Sequence, residues 1–184
     1  MRRSVLFAAL LSMIAVPAAA QDRMASSGRG DVLYFRAEAP SARVVLPYTV
    51  EQVWRALPDG YQMLGFTATA ARDTSKHEVS TTYLQIRGQL YPGEANSLYF
   101  DCSRNTPTGP LADQGDITFA VMSHVQPDER GGTAVLTQVV ARLKRRDGSQ
   151  YPVDCISTGR LERTLAQFLR QRLTSVGAIE ITRH

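Results

Sequence analysis

The chain has little of what redox and metal chemistry need. It carries two cysteines and three histidines in 184 residues. His77, His124 and His184 are scattered, and no pair has the spacing that brings ligands onto one metal ion. There is no C-x-x-C, which removes the thioredoxin-like signature. G-x-S-x-G, P-loop and Rossmann fingerprints are missing too, so the common nucleophile elbows and phosphate cradles are excluded. Nothing in the sequence calls for a cofactor. After the first twenty residues no apolar run approaches the roughly 20 residues that span a bilayer. Internal repeats and low-complexity tracts are also absent.

What is present begins with Arg2 and Arg3. An apolar run follows from Val5 to Val16, broken only by Ser12, and then Pro17 and Ala18-Ala19-Ala20. A positive start, an apolar centre and a small-residue exit make a secretory signal peptide over residues 1–20. The run is too short for a membrane anchor. The first cysteine is Cys102, so no thiol stands at the cleavage region to carry a lipid. The expected product is periplasmic or secreted, with no membrane span. Cleavage would leave 164 residues, enough for one domain. It would also lower the formal charge from +4 to +2. A nearly balanced surface argues against nucleic-acid binding, which draws its affinity from counterion release. One basic cluster remains: Arg142, Lys144, Arg145 and Arg146, running into Asp147-Gly148. It reads as a solvated strand end and turn, or as a surface-binding patch for anionic lipid or polysaccharide.

Cys102 and Cys155, in an exported chain, read first as one disulfide. Two free thiols or a redox pair are the alternatives. A bridge closing about fifty residues would restrict the unfolded chain by about 4 kcal/mol on the loop-entropy model.

The remaining pattern is that of an α+β domain over residues 42–184, preceded by a flexible polar leader over 21–41. Within that leader Asp31 to Arg36 has the composition of a short edge strand. Ala42 to Tyr48 is a strand. Thr49 and Gln52 then form a capping box, and Val50, Val53, Trp54 and Leu57 build one apolar helical face. Pro58 interrupts, with Asp59 placed to cap a second turn, so residues 49–64 read as one kinked helix or two short ones. Trp54 on such a face belongs to the core. Residues 78–90 hold one or two strands. Ser97 to Ser103 alternates, with Leu98, Phe100 and Cys102 on one face. Residues 105–115 form a loop. Ile117 to Val125 and Thr133 to Lys144 are strands joined by Gln126 to Gly132 as a hairpin connection. Residues 151–155 suit a last short strand. Leu161, Leu165, Phe168, Leu169 and Leu173 mark the C-terminal helix, capped by Ser157 or Thr158 and ending at residues 175–177, before a tail. Five to six antiparallel strands, with an N-terminal and a C-terminal helix on one face, make a helix-grip-like sandwich.

The segment R-V-V-L-P-Y-T-V-E-Q-V-W-R-A-L, residues 43–57, resembles the start of helix-grip domains. These include the START and Bet v 1-like superfamily and domains of the lipoprotein subunit of the outer-membrane β-barrel assembly machinery. In the latter the helix runs into an L-G turn like Leu64-Gly65. Most of the chain is similar to a family of uncharacterised exported bacterial proteins with two motifs. One is Y-x-D-C, here Tyr99-Phe100-Asp101-Cys102. The other is C-x-S-T-G-x-L-E, here Cys155 to Glu162. The resemblance implies an exported α+β domain and supplies no activity.

No constellation carries evident chemistry. Ser157 and Thr158 beside Asp154 are accounted for by a helix cap. Asp101 and Asp154 each precede a cysteine, so a disulfide would draw them together, either as acceptors at the helix entry or as an acid/base dyad. Strand alternation turns Asp101 away from Cys102 and favours the structural role. The expectation is a non-enzymatic envelope domain that binds a protein or a surface polymer. A carrier of a small apolar ligand is the alternative, and an enzyme using the aspartate pair is a third. Intact mass of the exported protein is expected to lack residues 1–20, and a retained leader would overturn the assignment to the envelope.

Overall fold

A computed structural model of the chain describes residues 23–25, 33–35, 41–66, 70–102, 105–147 and 151–181. The signal peptide expected at residues 1–20 lies outside the described residues. Along the chain come β1 (Arg23–Ala25), β2 (Leu33–Phe35), β3 (Ser41–Leu46), helix α1 (Val50–Met63), β4 (Ala70–Asp73), β5 (Glu78–Thr81) and β6 (Leu84–Ile86). Then follow β7 (Phe100–Asp101), β8 (Asn105–Thr106), β9 (Gly109–Pro110), β10 (Gly115–Pro127), β11 (Thr133–Arg145), β12 (Val153–Ser157) and helix α2 (Arg160–Ile181).

β10 and β11 pair antiparallel from Gly115↔Arg145 to Pro127↔Thr133. Their connection is tight: the Asp128 amide donates to the Gly132 carbonyl, and Gly131 and Gly132 take φ of 90° and 84°. An added Cβ on Gly132 would stand 2.4 Å from the Leu46 carbonyl oxygen, so only glycine fits. β5 and β6 share the outer edge of β10, while β3 and β12 share that of β11. β4 lies beyond β5, and β7 beyond β12. The sheet therefore has eight antiparallel strands, against the five to six expected. Residues 78–90, expected as one or two strands, hold β5 and β6, and the segment 97–103 holds β7; the unexpected strand is β4, Ala70–Asp73, whose short and mostly exposed sequence carries no apolar alternation.

The leader also differs from expectation. β2 forms where an edge strand was expected, but it pairs with β1 (Arg23↔Phe35) and not with the main sheet. β11, the strand it lies beside, already has neighbours on both edges. Residues 105–115, expected as a loop, hold the small β8–β9 pair and a 3₁₀ turn at Leu111–Asp113.

Alternation decides the core. Ile117, Phe119, Val121 and Val125 of β10 and Val135, Val139, Ala141 and Leu143 of β11 are buried on one sheet face. Val53, Leu57 and Tyr61 of α1 and Leu161, Leu165, Leu169 and Leu173 of α2 join them in one cluster. Each fully buried aliphatic side chain contributes roughly 1.5–3 kcal/mol. Phe119 sits between Phe66 and Phe100, with ring centroids 5.7 and 5.2 Å away. A chain of hydroxyls crosses this core. The Tyr61 hydroxyl lies 3.0 Å from both the Val79 carbonyl and Ser123 Oγ, and Ser123 Oγ lies 3.0 Å from Thr137 Oγ1. Burial pushes the Tyr61 phenol up, and the hydrogen bond with Ser123 opposes that shift.

α1 is one continuous helix, not two. Thr49 and Gln52 make the expected capping box. Pro58 cannot donate to the carbonyl four residues back. That carbonyl, on Trp54, accepts from the Arg72 guanidinium at 3.4 Å instead. The same guanidinium lies 4.2 Å from the centre of the Trp54 ring. Asp59 does not cap a second turn; it pairs with Arg172 of α2 at 3.2 Å. A Schellman motif ends the helix: Gly65 at φ 78° donates to Gln62, and Phe66 donates to Tyr61.

The segment 97–103 also departs from simple alternation. Asn96–Leu98 forms a 3₁₀ turn, so Leu98 is exposed and Tyr99 buried, and the strand begins only at Phe100. α2 runs through Gly177 to Ile181, because one glycine weakens a helix by about 1 kcal/mol without stopping it.

Cys102 and Cys155 are joined by a disulfide with their Cα atoms 4.1 Å apart, and both are buried. Replacing both by serine should lower the unfolding free energy by about 2–4 kcal/mol. Denaturant titration without reductant measures this; an unchanged midpoint would make the bridge energetically idle.

Candidate functional site

The two sequence motifs meet at one junction. β7 pairs β12 through Asp101↔Ile156 and Phe100↔Ser157, and the disulfide closes the next position. The Thr158 amide donates to the Tyr99 carbonyl at 3.0 Å, and its hydroxyl donates to Leu98 at 2.6 Å. Neither Ser157 nor Thr158 is itself the N-cap. α2 begins at Arg160, and the capping position falls on Gly159, whose carbonyl accepts from the Arg163 amide. Gly159 has φ 80°, a conformation glycine tolerates. Ser157 Oγ accepts from the Gly159 amide and donates to Glu162 at 2.8 Å. The C-x-S-T-G-x-L-E pattern thus encodes a helix entry tied to a strand.

That entry places Arg160 beside the loop at residues 88–98. Asn96, buried, braces the loop by donating to the Gly88 carbonyl and accepting from the Leu90 amide. Arg160 reaches Glu94 at 2.9 Å and lies 5.1 Å from the Tyr99 ring centre. Tyr99 donates its hydroxyl proton to the same carboxylate. The Tyr91 ring packs edge-on against Tyr99 at 5.3 Å, and its hydroxyl donates to the Leu64 carbonyl at 3.1 Å. Burial, with the Tyr99 and Glu94 charges beside it, pushes the Tyr91 phenol up to about 12. Tyr99 is raised by burial and by its bond to Glu94.

Two adjoining hollows flank Tyr91 and Leu64. One, of about 410 Å³, is walled mainly by Phe66, Leu84, Ile86, Leu90 and Phe119, with Gln85, Arg87 and Gln89 among its lining. The other, of about 290 Å³, is lined by Glu94, Tyr99, Arg160, Leu161 and Thr164. Both open to solvent. Together they form a cleft with an apolar lobe and a polar lobe whose charges cancel. Such a surface binds by shape and apolar contact with a few fixed polar groups. Its carboxylate, Glu94, is held by the Arg160 guanidinium and the Tyr99 phenol.

The residues expected to form a basic patch are dispersed in charge. Arg142 pairs with Asp154 at 2.9 Å, Arg146 with Asp116 at 2.8 Å, and Arg145 with Asp147. Lys144 alone of the four makes no ion pair among the described residues. Asp101 and Asp154 are both exposed, and Asp154 is held by Arg142. His77 stands edge-on to Trp54 and 3.8 Å from Glu51, and His124 lies opposite Glu78 on the neighbouring strand. No group of side chains among the described residues is arranged to hold a metal ion. No helix among them is long and apolar enough to cross a membrane.

No protein-family model matches this chain, and no curated protein matches it.

Sequence reasoning did not single out Tyr91, Glu94 or Arg160. Arg160 stands only at an unspecified position of the C-x-S-T-G-x-L-E motif, and its partner lies 66 residues away. Titration of Tyr91 offers a check. Its folded phenol stays protonated above the ordinary value of 10.0, so the native state holds more protons than the unfolded chain. Stability should therefore fall as pH rises from about 10 to about 12. Chemical denaturation across that range should give a shallower decline for Tyr91→Phe; identical slopes would contradict the raised Tyr91 phenol.

Proposed function

We propose that this chain is an exported, non-enzymatic domain of the cell envelope, periplasmic or released, that works as a binding or accessory module. It engages an envelope protein or a surface polymer at the cleft beside Tyr91. One observation carries this reading: the apolar hollow opens to solvent, with Phe66 and Phe119 forming its inner wall, while Tyr61 and Phe100 are buried in the core behind it. A buried disulfide suits folding in an oxidising compartment. The strand–helix start and the closing helix support a helix-grip arrangement, in which the space between sheet and last helix is here occupied by side chains. The ion pairs at Arg142, Arg145 and Arg146 leave the basic cluster little free charge, so the cleft is the better contact surface.

A second reading, the carriage of a small apolar ligand, is favoured by the size of the apolar lobe, about 410 Å³. Small-molecule sites run from roughly 300 to 1,000 Å³.

A photo-crosslinking residue at Arg87, exposed at the apolar lobe, should capture an envelope component in growing cells, and one at Lys144 should not. Capture from Lys144 alone would overturn the assignment. A small molecule retained in native mass spectrometry, and lost with Leu84→Asp, would replace the module by the carrier.

A further inference from the structure

The main sheet has a second face, turned away from α1 and α2. Side chains alternate across a strand, so with Phe119 and Val121 inward, Ala120 and Met122 of β10 point outward. On β11 the inward Val135 and Val139 set Ala134, Leu136, Gln138 and Val140 outward. An antiparallel sheet with one face in water carries polar residues there. The centre of this face is instead mostly apolar, and part of it is buried. Ala120 and Ala134 are 0% exposed, and Gln138 is 7% exposed. A side chain as long as glutamine stands out from a bare sheet, so its burial requires a layer above it. The helices pack on the opposite face. Both edges of β11 from Thr133 to Gln138 are taken, one by β10 and the other by β3. β2 packs against β11 yet belongs to a separate sheet with β1. A strand that meets β11 outside the sheet plane, on the side without helices, lies across the outer face. Val45, opposite Ala134 on β3, is 40% exposed, so the covering layer stops short of β3.

We infer that the β1–β2 pair is a cover held in cis: it occupies an apolar docking surface on the outer face of β10 and β11, apart from the cleft beside Tyr91, and keeps that surface from other chains. The occupant is the chain's own Leu33-Tyr34-Phe35 strand. β1 and β2 are three residues long and pair with each other. A two-stranded pair of that length is not stable in water by itself, so its order comes from packing on the sheet. The main sheet completes its ladders without either strand. The cover therefore opens as a local unit, at less cost than unfolding the domain. Opening bares Ala120, Ala134 and Leu136 together, an apolar patch of the kind that binds other chains.

Thiol labelling of the whole chain tests this. Cys102 and Cys155 are bonded to each other, so an added cysteine is the one reactive thiol. Ala134→Cys places it under the cover, and Val45→Cys places it beside the cover on the same face. With β2 unaltered, the first should react with a maleimide about tenfold more slowly than the second. Leu33→Asp with Phe35→Asp charges one face of β2, and Tyr34→Asp charges the other. One of these two changes should speed labelling at position 134 about tenfold, leave position 45 unchanged and keep the circular dichroism of the folded domain. Equal rates at the two positions with β2 unaltered overturn the inference. Protection at position 134 that survives both charged variants overturns it too, because the sheet's own side chains would then be the shield. Loss of the folded domain in both variants would make β2 part of the core instead of a cover, and overturns it as well.

Discussion

The antiparallel ribbon of β10 and β11 is the constraint on which the remaining structure depends. Thirteen consecutive cross-strand pairs fix its register. A slip of one residue would turn Ile117, Phe119 and Val121 out of the core and bring Thr118 and Met122 in. Every other strand of the main sheet is placed by this ribbon, directly for β3, β5, β6 and β12 and through a neighbour for β4 and β7. The two helices cover the face with the greater aliphatic and aromatic content.

The helices are secured by unlike means. α1 is held by packing and by repairs to its own backbone, notably the Arg72 guanidinium on the carbonyl that Pro58 leaves free. α2 is held by its entry. The disulfide, the β7–β12 pairing and the Thr158 bonds fasten the strand to the first helical turn. That fastening sets Arg160 against Glu94 and Tyr99, so the polar lobe of the cleft follows from the staple. The staple and the cleft are one construction.

Much of this was legible in local sequence. The capping box at Thr49 and Gln52, the two long alternating segments and the leucine spacing of α2 each rest on residues within a few positions of one another. Failures fell where local pattern is silent. Leu98 and Tyr99 exchanged exposure because a 3₁₀ turn shifted the face. Asp59 found Arg172, and Arg142 found Asp154, across distances that no spacing rule covers. β1, β4 and the β8–β9 pair were missed because pairing partners, not composition, define them.

The sequence by itself determined the α+β class, the two helices and the central hairpin, because periodicity and caps act over short range; the even thiol count made a disulfide only the first reading, which the structure decided. Tertiary structure alone decided which polar residues share a cleft and which carboxylates pair with Arg142, Arg145 and Arg146. Those outcomes depend on the stacking order of strands and on contacts between residues far apart in the chain. Arg43 illustrates the division. In sequence it is a basic residue in a short strand; in the fold it pairs with the buried carboxylate of Asp128, 85 residues away.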